Sequence, residues 1–547
     1  MEPPSPHNDK KRPPEPPILS ERFQKIFPKC CSIMGPHSLD RVLNEHTAQA
    51  GPEFFPDLLE THGSRPGLPA FLADLARVEW AFHQARTYTN EFDTDVDALE
   101  LNPTVQVIET AWTDLDALFH ETGAPPSISP RPGKTLVLVW KDFSRGEPRI
   151  GTASDEDLLA LKMVLEQTDP ANTAAAENVP VGVPDRALKR AVRQGILLAP
   201  RSAIRRDPAC FPISDQWDER FLASPVFTLQ WHVTQACDLH CKHCYDRSDR
   251  SPMNLERAVA VLDELRVFCK ERHVSGQVTF TGGNPLLFPK FTELYRAASE
   301  RGFVIALAGN VAARERLEEL KAIQKPVFYQ VSLEGLEEHN DRIRGSGYFR
   351  RVMDFLDLLR EMDIYSMVML TLTKDNMDQV LPLAERLRGR TNAFNFNRLS
   401  MVGEGAQLEL PDREAYAEFL ESYVEASEQN PILGLKDNLI NILYHRKQKT
   451  LFGGCAGYGC GAAFNFVTLL PDGEVHACRK FPSLIGNLFE QSLAEIYDSE
   501  PARRYRAGSE GCRSCAIRPV CGGCPAIAYS RRLDVFNDRD PYCFIDS

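Results

Sequence analysis

Cys237, Cys241 and Cys244 stand at C-x3-C-x2-C spacing in Thr234-Gln235-Ala236-Cys237-Asp238-Leu239-His240-Cys241-Lys242-His243-Cys244-Tyr245. Three thiolates on one short loop can wrap three corners of an iron–sulfur cube. No fourth cysteine stands beside them, so one iron would keep an open position. That describes a reactive centre rather than a closed structural one. Zinc is the competing reading, with His240 or His243 as a fourth ligand, because structural zinc sites close with four. A second concentration lies further on, where eight of the 15 cysteines fall between Cys455 and Cys543. Among them, Cys512-x2-Cys515-x5-Cys521-x2-Cys524 pairs C-x2-C units of the kind that bind zinc or iron–sulfur clusters.

The rest of the composition narrows the setting for such chemistry. The chain has 547 residues, 43% hydrophobic and 25% charged, and a formal net charge of −13. That balance disfavours general binding to nucleic acid or anionic membranes, which calls for a basic surface. No apolar run approaches the length of a membrane span, and the Pro-rich start carries no apolar signal core. A cytoplasmic chain is therefore expected, and there clustered cysteines point to metal more than to disulfides.

The elements that must position these residues are legible as periodicity. Residues 1–25 are Pro-rich and charged and are expected to be disordered. Residues 26–130 are expected to form a helical domain, on the strength of LPAFLADLARVEWAFHQART with Phe71, Leu72, Leu75, Val78 and Trp80 at helical spacing. Pro130-Arg131-Pro132-Gly133 reads as a break. Within 131–202, TLVLVW (135–140) reads as a strand and Ser154 with Asp157 as a capping box. Leu158, Leu161 and Leu165 follow at helical spacing. A second helix opens at Pro184, carries Leu188 and Val192 on one face, and stops at Gly195. From 220 to 430 strand-like runs alternate with helical ones. The strands are FTLQWHVT (227–234), QVTFTG (277–282), FVIALAG (303–309), VFYQVSL (327–333), SMVMLTLT (366–373) and AFNFNRL (393–399). Six such repeats predict an α/β fold, a partial (β/α)6 barrel open on one side, with its chemistry at the C-terminal ends of the strands. Past about 430 the segments turn short and Gly- and Cys-rich, and a separate metal-dependent domain is expected over 431–547.

The cysteine loop after the first strand, with aromatic Tyr245 beside it, resembles the radical S-adenosylmethionine (radical SAM) superfamily. Thr281-Gly282-Gly283-Asn284-Pro285-Leu286 ends the second strand where that family carries Gly-Gly-Glu-Pro. The resemblance implies that this loop receives the methionine amino group of SAM. Asn284 departs from the usual Glu: its amide oxygen can accept from an ammonium, without the charge that strengthens such bonds. Ala308-Gly309-Asn310, Ser332-Leu333-Glu334-Gly335 and His339-Asn340-Asp341-Arg342-Ile343-Arg344-Gly345 are similar to further family stretches in the same order. Gly282, Gly283, Asn284, Asn310, Ser332, Arg344 and Tyr245 are thereby the candidate SAM contacts, a serine and an arginine being suited to its ribose or carboxylate. No catalytic side chain is assigned.

Cys460, Gly473 and Cys478, then Cys512, Cys515, Cys521, Cys524 and Cys543, are similar to the seven-cysteine SPASM extension of peptide-modifying radical SAM enzymes. The last C-x2-C gap has two residues where relatives commonly have three. The resemblance implies three 4Fe-4S clusters: the barrel cluster and two auxiliary ones. Cys460, Cys478 and Cys524 would hold the first auxiliary cluster, with Cys455 as the candidate fourth ligand. Cys512, Cys515, Cys521 and Cys543 would hold the second. The implied chemistry is reductive cleavage of SAM to a 5′-deoxyadenosyl radical, with the electron coming from a donor such as flavodoxin or ferredoxin. That radical would abstract hydrogen from a ribosomally made precursor peptide.

The 131–202 segment resembles the winged-helix-like peptide-recognition domain of such enzymes, with strand 135–140 expected to accept a strand from a leader peptide. Within the group the chain resembles maturases of selenobiotic-type peptides. An anaerobic sulfatase-maturating enzyme is the second reading, though it does not need some 200 residues ahead of the barrel. A non-catalytic iron–sulfur or zinc scaffold is the third.

Overall fold

A computed structural model describes residues 19–44, 51–62, 68–89, 95–120, 129–211 and 217–545. In it the run Thr135–Trp140 lies inside β2 (Arg131–Asp142), the middle strand of an antiparallel sheet. β1 (Gln106–Thr113) pairs on one side of it and β3 (Glu147–Thr152) on the other. Burial on both faces accounts for its unbroken apolar run. Val137 and Val139 share a core with Val78, Ala81 and Ala85 of α1 (Leu72–Thr87). Leu138 and Trp140 share another with Ala160 and Leu161 of α2 (Asp155–Leu165) and Ala187, Leu188 and Ala191 of α3 (Gly182–Gln194). Successive strand side chains point to opposite faces, so a strand covered on both cannot alternate apolar with polar. The helix boundaries follow the sequence signals. Ser154 Oγ accepts from the Asp157 N–H at 3.2 Å, Asp157 accepts from the Ser154 N–H at 3.0 Å, and Gly195 ends α3 with φ of 78°.

Several expectations for this region are corrected. A helix spans Leu19–Ile26, inside the stretch expected to be disordered, while residues 1–18 lie outside the described residues. Residues 26–130 are not all helical, because β1 lies among them. Its half-exposed side chains alternate too weakly to announce a strand. Pro130-Arg131-Pro132-Gly133 does not break the chain. β3 pairs only with residues 137–142, so Pro132 sits where β2 has one open side and needs no second ladder bond. Leu165 is 67% exposed, and Ala160, Leu161 and Met163 take the core positions of α2. The boundary at 130/131 disappears, since residues 1–178 with 184–200 form one compact unit. Strand 135–140 also has partners on both sides and no edge for a peptide; the outer strands are β1 and β3.

The second unit comprises residues 179–183 and 201–547. Its six expected strands are all present and parallel: β4 (Val226–Thr234), β5 (Ser275–Gly282), β6 (Val304–Ala308), β7 (Tyr329–Ser332), β8 (Ser366–Leu372) and β9 (Ala393–Arg398). Helices α4 (Leu255–Glu271), α5 (Phe291–Glu300), α6 (Arg314–Ile323), α7 (Glu337–Arg344), α8 (Tyr348–Glu361) and α9 (Val380–Leu387) connect them. Phe227, Leu229, Trp231 and Val233 of β4 join the main core with Leu262 and Leu265 of α4. The alternate residues Thr228, Gln230, His232 and Thr234 are polar, which gives the opposite face of the sheet a wettable lining. Strand order runs linearly from β9 to β4, so the barrel is open as expected.

The Cys-rich segment continues the barrel sheet. β10 (Phe466–Leu469) pairs parallel with β4, from Phe466 opposite Thr228 to Leu469 opposite Trp231. β11 (Glu474–His476) and β12 (Leu484–Asn487) then extend the same sheet to nine strands. An open barrel leaves the edge of β4 with unpaired backbone groups, and a strand from the C-terminal segment covers them. Among the described residues no helix is long and apolar enough to cross a membrane.

Candidate functional site

The cysteine loop leaves the C-terminal end of β4 and is gripped by backbone from the neighbouring strand ends. Gly283 N–H donates to Thr234 O at 2.8 Å, Asn284 N–H to Ala236 O at 2.7 Å, and Lys242 N–H to Ile343 O at 3.1 Å. A Cβ on Gly282 would collide with Thr234 O, and one on Gly283 with Ala236 O. The two glycines are thus needed first for close packing of one loop on the other, not only for approach to a ligand. Gly403 presses on Tyr245 O in the same way, at φ of 54°.

Two polar assemblies flank two of the three thiols, Cys237 and Cys241. At the first, Asn310 Nδ2 donates to Asp238 Oδ1 at 2.6 Å and lies 3.6 Å from Cys237 Sγ, while Asn284 Nδ2 donates to the same Asp238 oxygen at 3.0 Å. At the second, Arg344 Nε donates to Glu334 Oε1 at 2.9 Å and its Nη1 lies 3.6 Å from Cys241 Sγ. His243 Nε2 is 2.8 Å from the same Glu334 oxygen, and the Thr371 N–H donates to Glu334 Oε2 at 2.8 Å. Burial alone would raise the Glu334 carboxyl, yet His243 and Arg344 hold it down at about 2. Arg344 was expected at a SAM ribose or carboxylate. Its nitrogens are instead engaged with Glu334, His243 and Cys241, so its geometry is that of a brace for the cysteine loop. Ser332 ends β7 half-buried. Tyr245 is turned into the barrel, its hydroxyl 3.0 Å from His232 Nε2. Burial keeps His232 neutral, with its pKa pushed down to about 3. Asp238 and Glu334 stand in the quoted motifs without an assigned role, and His243, a zinc-ligand candidate, is instead 2.8 Å from Glu334. Only the departure of Asn284 from glutamate hinted that a carboxylate must come from elsewhere.

The C-terminal cysteines lie close enough to one another to raise each other's thiol pKa values. Cys455, Cys478 and Cys524 all act electrostatically on Cys460, and Cys455 acts on Cys478 and Cys524 as well. Cys512, Cys515, Cys521 and Cys543 line one recess of about 370 Å³ together with Leu439, Ile442 and Ile517. The resemblance assigns Cys460, Cys478 and Cys524 to one cluster, with Cys455 as the candidate fourth ligand, and Cys512, Cys515, Cys521 and Cys543 to the other. Asn438 bridges the Cys455 and Cys524 segments: its Oδ1 accepts from the Cys455 N–H at 2.7 Å and its Nδ2 donates to Gly523 O at 2.6 Å, next to Cys524. Burial pushes the Cys478 and Cys512 thiols up to about 11, and those of Cys241, Cys244 and Cys524 upward as well. Such thiols ionise when a metal takes the place of the proton. Burial pushes the Lys436 ammonium down to about 8 against the pull of Cys455, which places a cation beside the first group.

Among the described residues no three His, Cys, Asp or Glu side chains converge on a single-ion site. A zinc ion needs its thiolates within about 2.3 Å of one point. In an iron–sulfur cube each thiolate binds a different iron, so the four cysteines need not converge on one point. If Cys455 closes the first group, Cys455→Ala should retain its iron and open that cluster to added thiol. Unchanged spectra and an unchanged response to thiol in the variant would show that Cys455 is not a ligand.

A second buried assembly joins β9 to the last cysteine. Arg398 Nη1 and Nη2 donate to Asp540 at 2.9 and 2.7 Å, and Nε donates to Asp437 at 2.9 Å. Tyr416 and Tyr542 flank the guanidinium with ring centres at 5.4 and 5.6 Å.

Comparison with known proteins agrees with this geometry. Residues 231–387 match the Radical SAM superfamily, and residues 460–525 match SPASM, an iron–sulfur cluster-binding domain. The chain therefore carries both domains. An AdoMet-dependent heme synthase of Methanosarcina barkeri is 27% identical over 345 residues, covering 58% of this chain and 95% of that protein. The antilisterial bacteriocin subtilosin biosynthesis protein AlbA of Bacillus subtilis is 27% identical over 312 residues, covering 54% of this chain and 66% of its own length. The solved structure of Streptococcus suis SuiB bound to precursor peptide SuiA aligns with a TM-score of 0.49 at 16% identity, over 75% of this chain and 96% of that one.

Proposed function

We propose that this chain, with its radical SAM and SPASM domains, is an enzyme that modifies a ribosomally made peptide by radical chemistry at the strand ends of the open barrel. The observation that supports this reading is the clustering of the cysteines, three on the barrel loop and eight between Cys455 and Cys543. Cys237, Cys241 and Cys244 would hold a 4Fe-4S cluster with one iron free for SAM. Cys455, Cys460, Cys478 and Cys524 would hold one auxiliary cluster, and Cys512, Cys515, Cys521 and Cys543 the other. Held by Cys237, Cys241 and Cys244, such a cluster would supply the electron for reductive cleavage of SAM to methionine and a 5′-deoxyadenosyl radical. The protein's own part is to fix the loop through Glu334, Arg344 and Asn310 and to present SAM at the strand ends. Its walls also keep water from the reacting atoms. The electron comes from an external donor such as flavodoxin or ferredoxin, in the reducing cytoplasm that 15 free cysteines suit.

A peptide substrate is supported by the bacteriocin biosynthesis protein among the relatives. The heme-synthase match takes in nearly all of that protein and leaves about two fifths of this chain without a counterpart. The N-terminal unit is suited to peptide docking, since β1 and β3 each leave one edge unpaired within its sheet. A leader strand added to β3 would gain backbone hydrogen bonds, and tethering would raise the local concentration of the segment to be modified.

The test is anaerobic reconstitution followed by SAM and dithionite. Formation of 5′-deoxyadenosine is expected, and its absence would leave only the scaffold reading. Mass spectrometry of a short peptide encoded beside this gene, after coexpression, should show a mass change. A sulfatase-derived peptide in its place should remain unmodified. A chain starting at Arg201 should still cleave SAM but lose most turnover of the full-length peptide; equal turnover would end the docking role.

A further inference from the structure

We infer that Asp238, the residue after the first cluster cysteine, supplies the carboxylate that receives the methionine ammonium of SAM, in place of the glutamate this chain lacks at Asn284. The inference rests on the SAM-binding reading above. Asn284 is poorly placed to accept an ammonium. It is only 4% exposed, its Nδ2 donates to Asp238, and its Oδ1 already accepts from the Leu286 N–H at 3.3 Å. What the amide does instead is hold Asp238. Together with Asn310 it fixes Oδ1 of that carboxylate beside Cys237, at 3.0 and 2.6 Å. Asn310 is in turn set by Tyr329, whose hydroxyl donates to its backbone carbonyl at 2.7 Å.

The carboxylates near the cysteine loop are separated by their partners, and Glu404 faces Arg247 at 3.8 Å. Glu334 is fully buried and ion-paired with Arg344 and His243. Asp246 accepts from Ser248 N–H at 2.9 Å, Ser248 Oγ at 2.6 Å and Gln235 Nε2 at 2.7 Å, with Arg250 adding positive charge. Asp238 accepts only from two neutral amides and is exposed. Among the described residues no cation pairs with it. A carboxylate oriented by neutral donors keeps its charge for a ligand, and an ammonium bonded to it gains the attraction of opposite charges that a neutral amide oxygen does not offer. The geometry thus moves the negative charge from the strand-end loop to the cysteine loop a few ångströms away.

The experiment compares SAM with its desamino analogue, which lacks only the ammonium, on the anaerobically reconstituted holoenzyme. Dissociation constants and the change in the EPR signal of the reduced cluster on ligand addition are the readouts. The wild-type chain should prefer SAM by about tenfold or more. Asp238→Asn should lose most of that preference while binding the analogue as before. Adding Asn284→Glu to Asp238→Asn should restore it. If Asp238→Asn loses iron, the pair Asp238→Glu and Asp238→Gln, equal in length and different in charge, replaces it; only the glutamate should keep the preference. An unchanged preference in the neutral variants, or equal weakening of both ligands, overturns the assignment. If the wild-type chain binds neither ligand, the SAM reading itself falls, a result distinct from either of these.

Discussion

Replacing Cys237, Cys241 and Cys244 together by Ala should remove about four irons per chain and abolish 5′-deoxyadenosine formation, because these sulfurs are the only protein anchors of one cube. The fold should survive the change. Cys237 is exposed, Cys241 and Cys244 are half-buried, and the loop is held mainly by backbone bonds to Ile343 and Asn284 that no thiol makes. The iron at the two C-terminal groups should remain, since their cysteines are held by other elements: Asn438, and the recess lined by Leu439 and Ile442. Iron analysis and EPR spectra before and after the substitution decide the matter. A triple variant with the iron content of the parent chain would refute the barrel assignment.

The second large effect is expected at Arg398. Its guanidinium satisfies Asp437 and Asp540 in the interior, and all three side chains are at most 8% exposed. Arg398→Met leaves two carboxylates facing each other without a cation. Removing one partner of a buried pair costs about 3–5 kcal/mol, so the melting temperature should fall by roughly 5–10 °C. Asp540 follows the second C-x2-C pair, and its Oδ1 accepts from the Tyr542 N–H at 3.0 Å, one residue before Cys543. Iron should therefore be lost first from the group containing Cys543, with the barrel cluster retained. A variant that melts with the parent chain and keeps all its iron would show that Arg398 is not what ties that group to β9.

Much of this architecture is written in local pattern. The six barrel strands could be placed within a few residues because each is an apolar run between helical stretches, and hydrophobic period reports burial wherever neighbours in sequence share an environment. The α2 capping box and the stop at Gly195 were legible for the same reason, as both are made by residues at most three apart. Cysteine spacing likewise marked the barrel loop, because short gaps confine thiols to one loop whatever the surrounding fold, while the two C-terminal sets came only from the resemblance.

What local pattern could not decide is which distant segments meet. β1 was read as part of a helical stretch because its partner strand begins 18 residues after it ends, and the 1–178 body became visible only when α1 was seen to cover the second face of β2. The Cys-rich segment looked independent because nothing in its composition shows that β10 pairs with the open edge of β4. At the site, Asn284 meets Asp238 across 46 positions, Asn310 meets it across 72, and His243 meets Glu334 across 91. A single polar residue carries no period, and its partner is chosen by the order in which strands lie in the sheet. The sequence alone therefore determined where the thiols stand along the chain and that a parallel barrel presents the first three of them. Tertiary structure alone decided which carboxylate is neutralised and which is left free to meet a ligand, because compensation of charge depends on distance in space and not on separation along the chain.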